Sequence, residues 1–192
     1  LKGAEAALSS TLGQAAAADA GELVASAGFV FPVAGPRAYA NGWGAPRMVG
    51  TPFEHFHEGT DIFAAADTPL VACERGVVVR VGTDRLGGIK LWLVGASGTR
   101  YYYAHLSAFA PGVVDGLVVE AGTLIGSVGS TGNAQGGSPH LHFEVHPAGG
   151  PAVNPYPFLR LVDDAARRYA AGGQSPTSTT TPRASPPPRS RP

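Results

Sequence analysis

The sequence predicts a mainly β domain with antiparallel strand pairing, and three observations carry that expectation. The chain has 27 glycines and 17 prolines in 192 residues, about twice the ordinary share, which excludes a long-helix bundle or a coiled coil throughout. Between residues 28 and 162, short strand-like segments are punctuated by glycine-containing turns about every 8–12 residues. The connections Glu74-Arg75 and Glu120-Ala121-Gly122 are too short for helical crossovers and suit hairpins. With 44% hydrophobic residues, the chain has enough apolar side chain for one real core.

Taken in order, residues 1–27 are Ala-rich, with Leu1, Leu8 and Leu12 on one helical face. They read either as the end of a longer helical region or as a linker. The expected strands are 69–73, 76–82, 89–95, 99–106, 117–120, 123–128 and 141–146. Val77, Val79 and Val81 alternate with Val78 and Arg80, the period of a sheet with one packed face. A last helix is expected over 157–171, where Val162, Ala165 and Tyr169 share a face. Residues 173–192 contain no aliphatic side chain larger than Ala and are expected to be a disordered Pro/Ser/Thr-rich tail. The organisation predicted is therefore a 1–27 segment, a 28–162 domain, the helix end at 163–172 and the 173–192 tail.

Charge is low and balanced. The 14 basic and 14 acidic residues cancel, which gives no electrostatic case for nucleic acid or an anionic membrane. No stretch approaches the ~18 uninterrupted apolar residues of a membrane span. Cys73 is the single cysteine, so an internal disulfide and a thiolate metal cluster are both excluded. Its apolar setting, Leu70-Val71-Ala72-Cys73, predicts a buried, inert thiol. The chain opens on Leu1, and the expectation is of a processed or trimmed chain, any export signal lying upstream.

Four of the six histidines form two His-x-His pairs, His55-Phe56-His57 and His140-Leu141-His142. In a strand, residues i and i+2 point to one side. Leu141, Phe143 and Val145 would then face the core, while His140, His142, Glu144 and His146 form a polar wall. The first pair runs into His57-Glu58-Gly59-Thr60-Asp61, where Gly59 would be free to take a positive φ and turn His57 and Asp61 inward. Both residue types ligate Zn²⁺, and a catalytic zinc keeps its fourth position for water. In Tyr101-Tyr102-Tyr103-Ala104-His105, alternation puts Tyr101, Tyr103 and His105 on one face. The constellation points to a metal site. Spacing alone leaves open which three groups hold the metal, and a closed four-histidine site is formally compatible with it.

The residues Trp43-Gly44 with Arg47, His57-Glu58-Gly59-Thr60-Asp61-Ile62, Tyr103-Ala104-His105-Leu106, Gly129-Ser130-Thr131-Gly132-Asn133 and His140-Leu141-His142-Phe143-Glu144-Val145 resemble, in that order, the lysostaphin-type (LytM-like) zinc metallopeptidases that cut peptidoglycan peptides. The resemblance covers about residues 28–160. It implies a compact antiparallel β-sheet sandwich domain with a short C-terminal helix, acting outside the cytoplasm on peptidoglycan peptides. It also implies one Zn²⁺ per chain, bound by His57, Asp61 and His142, with His105 and His140 as the catalytic pair. Tyr103 and Glu144 are candidate supporting residues around that set. Zinc chemistry would bring a bound water from a pKa of about 16 to about 7, with the catalytic pair orienting it and relaying its proton. Two departures bear on the substrate groove: Ala45-Pro46 stands where many members have one residue, and the loop Ala134 to Pro139 is long.

Two other readings compete with this one. Gly76 to Gly82 and Gly116 to Gly129 resemble half-repeats of lipoyl- or biotinyl-type carriers, but Lys90 lies within a strand and not at a hairpin tip. A cell-envelope scaffold that binds peptidoglycan or activates another hydrolase is the second, with the N-terminal stub as a place for upstream partner contacts.

Overall fold

Alternating burial shapes the central strand, β11 (His140–His146). Leu141, Phe143 and Val145 are buried, and His140, His142, Glu144 and His146 stand on the opposite face, as its sequence pattern predicts. The computed structural model describes residues 28–170. The expected segment 1–27, the end of the C-terminal helix at 171–172 and the tail 173–192 lie outside these residues.

Around β11 the strands are β1 (Ala38–Tyr39), β2 (Pro46–Arg47), β3 (His55–Phe56), β4 (Thr60–Phe63), β5 (Pro69–Val71), β6 (Gly76–Asp84), β7 (Gly88–Gly95), β8 (Arg100–Phe109), β9 (Val118–Val119) and β10 (Leu124–Val128). Eight of these ten share one nine-stranded sheet with β11, in the order β1-β4-β11-β8-β7-β6-β9, with β10 pairing both β8 and β5, while β2 and β3 form a ribbon of their own.

 Every pairing is antiparallel. The seven strands expected from β5 onward all form. The two- to four-residue strands β1 to β4 are too short to show a period and have no counterpart in the sequence reading.

β8 serves two layers. Its first half pairs with β7 and β11, and its second half, from Leu106 to Phe109, pairs with β10. The core fills the space this bend encloses: Leu91, Leu93, Tyr101, Tyr103, Leu141 and Phe143 meet Leu70, Ile125 and Val128 there. In β6 the core position belongs to Val78, while Val77 and Val79 are half-buried on the other face.

Two of the β-bulges carry a non-glycine residue in the left-handed region. On β8, Ala104 and His105 together oppose the single Lys90 of β7, and His105 has φ +65°. On β6, Arg80 and Val81 together oppose Leu91, and Arg80 has φ +54°. A bulge re-aims a side chain at the expense of local strain, of order 1 kcal/mol.

The C-terminal helix, α1 (Tyr156–Ala170), begins one residue before its expected start. Leu159 and Val162 drop into the core. Asp163 is ion-paired with Arg37, accepts from Arg167 at 3.1 Å and lies 3.3 Å from the Tyr39 hydroxyl, which ties α1 to β1. Behind the sheet, Glu74 is buried but satisfied, accepting from Ser97 N at 2.6 Å, the Ser97 hydroxyl at 2.9 Å and the Tyr101 hydroxyl at 2.8 Å. Beside it Cys73 is fully buried, and burial pushes its thiol pKa up, consistent with the inert thiol expected. No helix among the described residues is long and apolar enough to cross a membrane.

Candidate functional site

Register sets the site. Pairing of β4 with β11 puts Asp61 directly opposite His142, and pairing of β11 with β8 puts Ala104 on the other side of His142. The small Ala104 side chain leaves room above the sheet for imidazole rings. The pocket over this spot has a volume of about 640 Å³ and includes His57, Asp61, His105, His140 and His142 in its lining.

Three atoms converge at its floor. His57 Nε2 lies 2.9 Å from Asp61 Oδ1 and 3.0 Å from His142 Nδ1, and His142 Nδ1 lies 3.1 Å from Asp61 Oδ1. Gly59 permits this approach, because a Cβ there would meet His142 Cε1 at 2.6 Å and the Phe143 carbonyl oxygen at 2.7 Å. The expected positive φ at Gly59 does not occur; Gly59 is absent from the left-handed glycines, and close packing is the reason for glycine here.

The outer nitrogens of the rings are all tied to acceptors. His57 Nδ1 donates to the Gly42 carbonyl at 2.9 Å and His142 Nε2 to Glu144 Oε1 at 2.9 Å. His105 Nδ1 donates to the Thr131 carbonyl and His140 Nδ1 to the Ser138 carbonyl, both at 2.9 Å. Since a carbonyl or carboxylate only accepts, the lone pairs are left on His57 Nε2, His142 Nδ1, His105 Nε2 and His140 Nε2.

Three lone-pair atoms within about 3 Å need a cation between them. Burial disfavours a charged His142, but hydrogen bonds and attraction from Asp61 and Glu144 outweigh it and raise its pKa to about 9. Asp61 shows the converse: despite burial, His142 and His57 hold its carboxyl well below the usual range. Two imidazoles and one carboxylate are a donor set suited to Zn²⁺, whose tetrahedral ligands stand about 3.3 Å apart. The residues present therefore fit such an ion, and the ligand atoms of His57, Asp61 and His142 all lie within 4.8 Å of one another.

His105 reaches the pocket because of its bulge. Its ring centroid is 4.9 Å from that of His140 and 5.8 Å from that of His142. Burial, then repulsion from His140 and His142, lowers its pKa to about 4, so the ring stays neutral. Glu144 bridges His142 and His146, 2.7 Å from His146 Nε2; although burial opposes ionisation, these two imidazoles bring its pKa down to about 2.

Tyr103 is not at the site. It is fully buried in the core, its hydroxyl donating to the Val71 carbonyl at 3.1 Å and accepting from Cys73 N at 2.9 Å. The extra residue in the bulge puts His105 and Tyr103 on opposite faces, and Tyr102 lines the pocket instead. His55 also lines it, exposed on β3. Sequence reasoning gave Arg47 no role at the site, yet its Nη2 donates to Asp61 Oδ2 at 2.7 Å. That occupies the outer carboxylate oxygen and leaves Oδ1 for the cluster. The missed acceptors, Gly42, Thr131 and Ser138, act through backbone carbonyls, which side-chain patterns do not reveal.

The sequence profile of peptidase family M23 matches residues 55–155, a span that includes His57, Asp61, His105, His140 and His142. Over 140 residues the chain is 38% identical to the L-Ala--D-Glu endopeptidase of Bacillus subtilis, an alignment covering 69% of this chain and 42% of that protein. The catalytic domain of the antimicrobial peptidase lysostaphin from Staphylococcus simulans aligns with a TM-score of 0.55 and 34% identity, over 65% of this chain and 92% of that one. A zinc-containing peptidase from Vibrio cholerae aligns with a TM-score of 0.56 and 29% identity, over 65% of this chain and 38% of that one. The chain spans 42% or less of the length of the curated relatives it matches.

Proposed function

The chain belongs to peptidase family M23, and from that premise we propose that it is a zinc-dependent endopeptidase cutting peptide bonds of peptidoglycan, outside the cytoplasm where that polymer lies. The observation that carries this reading is the convergence of His57 Nε2, Asp61 Oδ1 and His142 Nδ1, each backed by a partner on its outer atom. These three residues would hold one Zn²⁺. When bound, the ion supplies a water with a pKa of about 7 and polarises the carbonyl under attack.

The chain's own residues do the rest. Arg47 holds Asp61, and Glu144 holds His142, so neither ligand turns away from the cluster. His105 and His140 present basic Nε2 atoms over it, each with Nδ1 anchored on a carbonyl. A neutral imidazole so anchored takes a proton at Nε2 and returns it to the leaving amine. Once protonated, the same atom donates to the oxyanion of the tetrahedral intermediate.

The test is digestion of purified peptidoglycan by the zinc-loaded chain, with products read by mass spectrometry beside His140→Ala. New peptide termini that vanish in the variant are expected, and their identity names the bond. Sedimentation with peptidoglycan but no new termini from any wall type would overturn this reading in favour of a non-hydrolytic scaffold.

A further inference from the structure

The sheet face that carries the histidines continues past Glu144. The next outward residue on β11 is His146, about 13 Å from His142 along an extended strand. Beside it lies a second pocket of about 400 Å³, with Arg80, Trp92, Arg100, His146 and Gly149 in its walls.

Several devices build this pocket. The left-handed bulge at Arg80 repeats, on β6, the device that brings His105 to the first pocket. A Cβ on Gly149 would meet Arg100 Nε at 2.9 Å and Cζ at 3.0 Å, so the missing side chain leaves the space that the guanidinium occupies. Trp92 packs between Tyr102 and His146, with ring centroids 4.8 and 5.0 Å away. Among the described residues, the ion pairs of arginine and lysine use Arg37, Arg47, Lys90, Arg75, Arg160 and Arg167. Arg80 and Arg100 take part in none of them. Glu144, the carboxylate that contacts His146, is already held by two imidazoles.

Two guanidiniums outside any of these ion pairs, lining one pocket with Trp92, suit an anion borne on an apolar or planar group. We propose that this pocket binds a free carboxylate of the peptide substrate, holding it with Arg80 and Arg100 while the peptide extends along β11 to the His57–Asp61–His142 cluster. An extended chain covers about 3.3–3.6 Å per residue, so the carboxylate sits about four residues from the bond under attack. The peptide nature of the ligand rests on the function proposed above; the anion site itself does not.

The test uses Trp43→Phe, which leaves Trp92 as the single tryptophan of two. Acetyl-tetra-alanine, as free acid and as amide, is titrated into the metal-free chain while Trp92 fluorescence is followed. A saturating change with the acid, about tenfold weaker with the amide and about tenfold weaker after Arg80→Gln/Arg100→Gln, is expected. Equal responses to acid and amide, or an undiminished response in the double variant, would overturn the proposal. Saturation by inorganic phosphate with none by the acid would overturn the peptide assignment and point to a phosphate-bearing ligand. With zinc, the double variant should raise KM about tenfold for an acidic peptide with kcat within about twofold. If the chain cleaves no peptide yet the acid titrates, the proposed function has failed and the anion site stands. If it cleaves peptides but the titration is flat, this proposal alone has failed.

Discussion

Gly59 sits where the sheet and the cluster compete for space. Alanine there must displace either His142 or the β11 backbone, since its Cβ would lie 2.6 Å from the ring and 2.7 Å from a carbonyl oxygen. Gly59→Ala is expected to weaken zinc binding by about tenfold or more, read by competition with a chromophoric chelator. Unchanged affinity would mean that His142 does not hold the metal. The His-x-Gly-x-Asp spacing makes this glycine visible in the sequence, but the positive φ it suggests occurs instead at residues such as His105 and Arg80. Tyr103 shows the same limit. Strict alternation placed it beside His105, but one bulged residue, invisible in a period-2 pattern, turned His105 out to the pocket and left Tyr103 in the core with Tyr101.

At the level of elements, β6 to β8, β10 and β11 were legible because burial on one face writes a period into them, and the short β5 and β9 through the turns that bound them. β1 to β4 were not, being held by the partners they meet. The tie between β1 and α1 is likewise long-range and carries a pH dependence. Burial alone would raise the Asp163 pKa, but the Arg37 and Arg167 guanidiniums bring it below the ordinary value. A carboxyl whose folded pKa is depressed stabilises the fold above its unfolded pKa of about 3.9, and that contribution is lost as pH falls through the folded pKa. Asp163→Asn is therefore expected to cost about 2 kcal/mol at pH 7, with the difference from the parent chain shrinking below about pH 4. Denaturant melts at pH 7 and pH 3 check this, and a difference that stays constant would argue that the ion pair contributes nothing.

For the whole molecule, the helix completes a core that the strands build. Leu159 and Val162 are buried against it, each contributing about 1.5–3 kcal/mol, a large part of the ~5–15 kcal/mol that holds a domain together. We expect a fragment of residues 28–170 to unfold in one cooperative transition by circular dichroism and to take up zinc, and a fragment ending at 155 to do neither. Cooperative unfolding of the shorter piece would show that the folded unit ends before α1. The seal over Cys73 has a practical side. With the single thiol closed off beneath the sheet, the native chain stays blank to maleimide reagents, and a cysteine introduced at an exposed position such as Val114 becomes a unique handle for a fluorophore or a surface tether.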